Sequence, residues 1–123
     1  MNTDKKVIEE IVIEDDNGTK EWFLNGLHHR DNDKPAIEWI DGSKHWYKNG
    51  LRHRDNDKPA IEYSVDNYCT KEWWLNGKLH RDNSHAIEYA NGTKAWVING
   101  VQLTEKDFIS YTRKKKIESI LSL

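Results

Sequence analysis

The stretch Ala36-Ile37-Glu38-Trp39-Ile40-Asp41-Gly42-Ser43-Lys44-His45-Trp46-Tyr47-Lys48-Asn49-Gly50-Leu51-Arg52-His53-Arg54-Asp55-Asn56-Asp57-Lys58-Pro59 decides the fold. Related phrases begin near Val12, Ala60 and Ala86. A unit this short cannot bury an apolar side alone, so copies must stack on their neighbours. Equivalent asparagines at 25, 49, 76 and 99 are 24, 27 and 23 residues apart. The longest spacing comes from three extra residues in the Val65 to Thr70 loop. The shortest comes from Ser84-His85 standing where the first copy has Asp33-Lys34-Pro35.

All seven glycines follow Asn or Asp. Asn-Gly or Asp-Gly between alternating segments signals a tight hairpin, because a type I′ turn needs positive φ at both central residues. Two-residue loops throughout predict that Ile37 faces Trp46, Glu38 faces His45 and Trp39 faces Lys44. Around Asn49-Gly50, Tyr47 then faces Arg52 and Trp46 faces His53. Each unit becomes a three-stranded meander with an Ile–Trp–His row on one face: Ile13–Trp22–His29, Ile37–Trp46–His53, and Ile61, Trp73 and His80. In the last unit the row is Ile87–Trp96–Leu103. Lys20, Lys44 and Lys94 are expected opposite Asp15, Trp39 and Tyr89 on that face.

Residues 1–11 form an N-terminal strand or cap, with Val7 to Ile13 as the candidate strand, and residues 12–103 the repeats. Thr104-Glu105-Lys106-Asp107 reads as a helix start, with Thr104 as N-cap and acidic residues in the first turn. Phe108, Tyr111, Ile117, Ile120 and Leu121 recur at roughly helical intervals over 104–123, and the helix is expected to fold back as a cap. The fold class is therefore mainly β: a single-layer antiparallel sheet of about four hairpin repeats with a C-terminal α-helix. Charged residues make up 33% of the chain and hydrophobic ones 36%, which suits a thin sheet whose six Trp and five Tyr supply the buried area.

The formal net charge of -2 carries no global nucleic-acid or membrane signature. Residues 1–100 hold 14 Lys/Arg against 18 Asp/Glu, whereas residues 101–123 hold 5 against 3. The lone Cys69 cannot form an internal disulfide, which favours a reducing compartment. No apolar run reaches the length of a signal-peptide core or a transmembrane segment. A soluble, cytoplasmic protein is expected.

The blocks Trp-x-x-Asn-Gly, His-Arg-Asp-Asn and Pro-Ala-Ile-Glu resemble MORN-type repeats, most closely the variant in uncharacterised bacteriophage and giant-virus proteins. The likeness covers roughly residues 12 to 103. Asn99-Gly100-Val101-Gln102-Leu103-Thr104-Glu105 resembles the way such proteins end. Each unit departs from the ordinary MORN repeat at its close, where Asp-Asn-Asp-Lys-Pro stands in place of the expected glycines. The resemblance implies a non-catalytic viral accessory protein in the host cytoplasm. Its implied partner is a host protein or protein–nucleic acid complex, and an inhibitor of host defence such as CRISPR is one case. A self-associating scaffold, including a homodimer, and a membrane-surface lipid binder are the rival readings.

The His-Arg-Asp-Asn copies (29–32, 53–56, 80–83) offer metal-ligating side chains, but the calcium loop's central Gly and terminal Glu are missing. A feature present in each of several copies builds the repeat, so no metal is assigned. The glutamates 14, 38, 62 and 88 form a solvated or inter-unit row without a fixed partner, and Cys69 has no recurrent base beside it. No catalytic residue and no cofactor are expected. The pairs Phe23 with His28, Tyr47 with Arg52, Trp74 with Leu79 and Val97 with Gln102 vary between copies, on the face opposite the Ile–Trp–His row. Variation on a repeat scaffold is where recognition is written, so Phe23, Tyr47, Arg52 and Trp74 are the candidate partner-binding residues; a second packed face is the equal alternative. Arg113, Lys114, Lys115 and Lys116 are a competing basic surface, or a solvated helix face.

Overall fold

The computed structural model describes residues 8–64 and 69–123. The expected cap up to residue 7 and the inserted loop residues 65–68 lie outside the described residues. The strands are β1 (Glu10–Glu14), β2 (Lys20–Leu24), β3 (Leu27–His28), β4 (Ile37–Glu38), β5 (Lys44–His45), β6 (Tyr47–Lys48), β7 (Leu51–Arg52), β8 (Ile61–Glu62), β9 (Cys69–Glu72), β10 (Trp74–Leu75), β11 (Lys78–Leu79), β12 (Ile87–Tyr89), β13 (Lys94–Ile98) and β14 (Val101–Leu103). One helix, α1 (Glu105–Leu121), closes the chain. The main antiparallel sheet runs β1-β2-β4-β5-β8-β9-β12-β13-β14 with β3 also on β2, while β6–β7 and β10–β11 form separate hairpins. This is the expected mainly β architecture with a C-terminal helix. The long strand of each middle unit breaks at Trp46 and Trp73, so its first half joins the sheet and its second half forms a hairpin.

Two turn types alternate, and this corrects the expected register. At Asn25-Gly26, Asn49-Gly50, Asn76-Gly77 and Asn99-Gly100 both residues have positive φ. There Leu24 pairs with Leu27, Lys48 with Leu51, Leu75 with Lys78 and Ile98 with Val101, as two-residue loops require. At Asp41-Gly42 only the glycine does, at φ 94°. Gly42 N–H donates to the Trp39 carbonyl (3.0 Å) and Trp39 N–H to Ser43 (2.9 Å), so Ile40-Asp41-Gly42 is a three-residue loop. Asp15 to Thr19 and Tyr89 to Thr93 repeat that pattern. One extra loop residue moves a strand's side chains to the other face.

Ile37 accordingly pairs with His45 instead of Trp46, and Glu38 with Lys44 instead of His45. Two rows cross the sheet. One is Ile13–Glu21–Ile37–His45–Ile61–Glu72–Ile87–Ala95. The other is an alternating charge ladder, Glu14–Lys20–Glu38–Lys44–Glu62–Lys71–Glu88–Lys94. The glutamates thus do have a recurrent partner, and the lysines face glutamates, not Asp15, Trp39 or Tyr89. Opposite charges on neighbouring strands stabilise a sheet that single strands of two residues could not.

The core lies along the unit junctions. Trp22, Trp46 and Trp73 donate their backbone N–H to the carbonyls of Ala36, Ala60 and Ala86, each at 2.8 Å. Those alanines are 0% exposed, and Trp46 and Trp73 are 6% exposed. The turns also nest: a Cβ on Gly50 would meet Leu27 at 3.2 Å and one on Gly77 would meet Leu51 at 3.3 Å, so a side chain there would press on the preceding unit.

Thr104 caps α1, its hydroxyl accepting from the Asp107 N–H. The helix packs on β13 and β14. Only Phe108 is buried; Ile117, Ile120 and Leu121 of the expected apolar stripe are 57%, 64% and 79% exposed. The cap is therefore made by the first turn of the helix, because the charges of Arg113 to Lys116 interrupt the stripe.

Candidate recognition face

The repeated polar residues are satisfied by the joints they build. His29 Nδ1 accepts the backbone N–H of Asn49 (2.9 Å), His53 that of Asn76 (2.9 Å) and His80 that of Asn99 (2.8 Å). An amide N–H can only donate, so the imidazole proton sits on Nε2. From there it is donated to Asp31, Asp55 and Asp82 within the same unit. Arg30, Arg54 and Arg81 sit over Trp22, Trp46 and Trp73, with the guanidinium carbon 3.7, 3.7 and 4.0 Å from the ring centroid. Arg54 forks onto Asp33 of the preceding unit and reaches Glu62 of the next. Those bonds, with a further one from Lys58, hold the Asp33 carboxyl down at about 2. Asn32, Asp33, Asn56 and Asp57 turn the chain with positive φ, and the Trp46 and Trp73 indoles donate to the Asp33 and Asp57 carbonyls. Among the described residues no three His, Cys, Asp or Glu side chains are grouped to hold a metal.

The other face carries the recurring isoleucines and, between and beyond them, residues that differ from unit to unit. Alternation places Glu21 with Phe23, His45 with Tyr47, and Glu72 with Trp74 on it. Phe23 and His28 are cross-strand partners, their rings 4.4 Å apart. His28 reaches across the unit boundary to Tyr47, 5.1 Å away. Tyr47 pairs with Arg52, whose Nη2 donates to the Tyr47 hydroxyl at 2.8 Å. Arg52 in turn sits 4.9 Å over Trp74 in the third unit. Phe23, His28, Tyr47, Arg52 and Trp74 thus form one half-buried ribbon of planar groups over three units. Carboxylates border it: Glu21 bonds His28 at 3.0 Å, and Glu72 accepts from the Trp74 indole (3.1 Å) and the Tyr63 hydroxyl (2.7 Å).

Beyond Trp74 the same face closes. Val97 is 2% exposed and clusters with Trp73 and Ala86, with Leu79 and Ile87 packed against them. The ribbon side chains are half-buried over the first three units, whereas Val97 at the matching place of the last is packed, so the second packed face that was the alternative expectation is present there. Among the described residues, two buried side-chain nitrogens lack a hydrogen-bond partner, His45 Nδ1 and Arg52 Nε, and both are on this face. Burial, with the Arg52 charge nearby, lowers His45 to about 4. Cys69 is pushed up to about 11 by burial and the Glu72 charge, the opposite of an activated thiolate.

Phe23, Tyr47, Arg52 and Trp74 therefore come together. Arg113, Lys114, Lys115 and Lys116 do not join them: they are exposed on α1, at the last unit, with Lys115 stacked 5.3 Å from Tyr111. His28, Glu21, His45, Tyr63 and Glu72 were not among the sequence-derived site residues. The aromatic residues 39, 63 and 89 just before the turns were the available signal, and the one-residue register error hid which face they occupy. Compared with protein-family models, with curated proteins and with solved structures, the chain matches none.

Proposed function

We propose that this chain is a non-catalytic MORN-like binding module whose ribbon, Phe23–His28–Tyr47–Arg52–Trp74, docks a protein partner. The observation that carries the reading is the continuous aromatic–cation stack with a buried, unpartnered Arg52 Nε at its centre. Tyr, Trp and Arg dominate binding hot spots, and a preassembled stack loses little entropy on docking. The bordering carboxylates of Glu21 and Glu72 oppose a phosphate backbone and favour a protein surface. The resemblance in sequence to phage and giant-virus proteins supports an accessory role against a host protein or protein–nucleic acid complex, of which a host-defence inhibitor is one form.

The test is affinity capture with the wild-type chain and with Tyr47→Ser/Arg52→Ser/Trp74→Ser. The partner should be lost with the triple variant and kept when Arg113 to Lys116 are reversed in charge. The converse result would move recognition to the helix. A self-associating scaffold is the second reading, favoured by exposed Ile117, Ile120 and Leu121. Sedimentation across a concentration series separates the two, since the binder should remain a monomer without its partner. No helix among the described residues is long and apolar enough to cross a membrane.

A further inference from the structure

Trp39, His45 and Tyr63 stand as three walls beside the ribbon. The His45 ring is steeply inclined to both neighbours, 5.8 Å and 61° from Trp39 and 6.1 Å and 81° from Tyr63. The register brings them together: His45 lies between Ile37 and Ile61 on one row, and Trp39 and Tyr63 follow those isoleucines by two residues. With Asp41 and Ser43 they line an open cleft of about 230 Å³. Trp39 is 44% exposed, an unusual state for so large an apolar ring. The trio occurs once, where the second unit meets the third. The first has Asp15, Glu21 and Trp39 at these positions, and the third has Tyr63, Glu72 and Tyr89.

Ring faces attract cations, most effectively those that shed water easily. A primary ammonium holds its water tightly; a methylated one does not. Asp41 adds a full negative charge at the rim, its carboxyl held below the usual range by hydrogen bonds from Ser43. Glu72 adds another behind Tyr63, opposing the nearby Arg52 charge. His45, titrating at about 4, offers a neutral ring at physiological pH. We propose that this cleft binds a methylated ammonium group presented on a protein segment. A choline headgroup would carry a phosphate toward Asp41 and Glu72 and is disfavoured. The assignment uses none of the ribbon side chains and stands independently of the ribbon's partner.

The test is NMR titration of the full chain with a short peptide bearing trimethyllysine. Parallel arms use the unmodified lysine peptide, a peptide with the uncharged tert-butyl isostere, and phosphocholine. The trimethyllysine peptide should give saturable shifts of the Trp39 indole N–H, with binding about fivefold or more tighter than the uncharged isostere. Binding should disappear in Trp39→Ala and in Trp39→Leu, which keeps apolar bulk, with the remaining amide spectrum unchanged as proof of folding. It should persist in the Tyr47→Ser/Arg52→Ser/Trp74→Ser variant, which separates its failure from failure of the ribbon reading. Equal binding of the uncharged isostere would overturn the cation assignment. Tighter binding of phosphocholine would overturn the assignment to a protein segment, and no saturable shift in any arm would overturn the site.

Discussion

Arg52 and Arg54 lie two residues apart in opposite surroundings. Arg54 stacks on Trp46 and bonds Asp33, Glu62 and the Pro59 carbonyl, so its charge and donors are committed within the fold. Arg30 and Arg81 repeat the ring contact and the carbonyl bond in their own units, Arg30 adding Glu38 and Arg81 adding Asp57. Arg52 lies between Tyr47 and Trp74 with a buried Nε left unbonded, and its counterparts are His28, Leu79 and Gln102. The joint between units is built from residues that recur and are satisfied. The face above it sets residues that do not recur beside the recurring isoleucines, and two of the varied side chains, Arg52 at Nε and His45 at Nδ1, keep an unbonded nitrogen. Repetition marks what holds the stack together, and departure from it marks what the stack can present to a partner.

The largest effect should come from the joint. Trp46→Ala removes the 6% exposed ring, the platform under Arg54 and the indole bond to Asp33. It should lower unfolding stability by about 3–5 kcal/mol in urea titration. A loss below about 1 kcal/mol would mean that the junction does not carry the fold.

Arg54→Ala comes next, at about 1–2 kcal/mol, because Trp46 loses its stacked cation, Glu62 and the Pro59 carbonyl lose a donor, and Asp33 keeps only Lys58. Arg54→Lys should recover only part of this, since an ammonium cannot fork onto Asp33 while sitting over Trp46. Full rescue by lysine would reduce the joint to simple charge attraction.

Acid should sharpen the contrast. The unfolded chain takes up a proton at His45 near 6.5, and the folded chain resists until about 4, so stability falls as pH drops through that window. Asp33 acts lower: its contribution is complete above 3.8 and is lost as pH falls toward about 2. In pH-dependent unfolding, His45→Gln should flatten the upper window and Asp33→Asn the lower. An unchanged slope in either variant would contradict the cause assigned to that window.

The smallest effects should lie on the helix end. Ile117→Ala and single neutralisations within Arg113 to Lys116 should stay within about 0.5 kcal/mol, since these side chains are exposed. Phe108→Ala should cost more, because that ring is 5% exposed.

Much of the architecture was legible because the signals were local and repeated. Asn-Gly pairs fixed four hairpins, Thr104-Glu105-Lys106-Asp107 fixed the helix start, and the recurring Trp marked the junctions. The register of the other hairpins was not legible. A type I turn with a bulged glycine and a type I′ turn share the Asp-Gly or Asn-Gly spelling and differ by one residue in loop length. That residue moved the isoleucines onto the varied face and brought Trp39, His45 and Tyr63 together. The four aromatic and arginine site residues are legible because they differ between copies, a signal that needs no register. His28 is legible on that face as the partner of Phe23, but its contact with Tyr47 of the next unit is one that no within-unit pairing can reveal.

The most direct test of the division between joint and face is a pair of urea titrations run side by side. Trp46→Ala alone should destabilise the protein more than Tyr47→Ser, Arg52→Ser and Trp74→Ser combined, with the triple variant losing about 1–2 kcal/mol for its lost stacking. If the triple variant unfolds more easily than Trp46→Ala, the ribbon is a structural spine, and the distinction between residues that build and residues that bind fails.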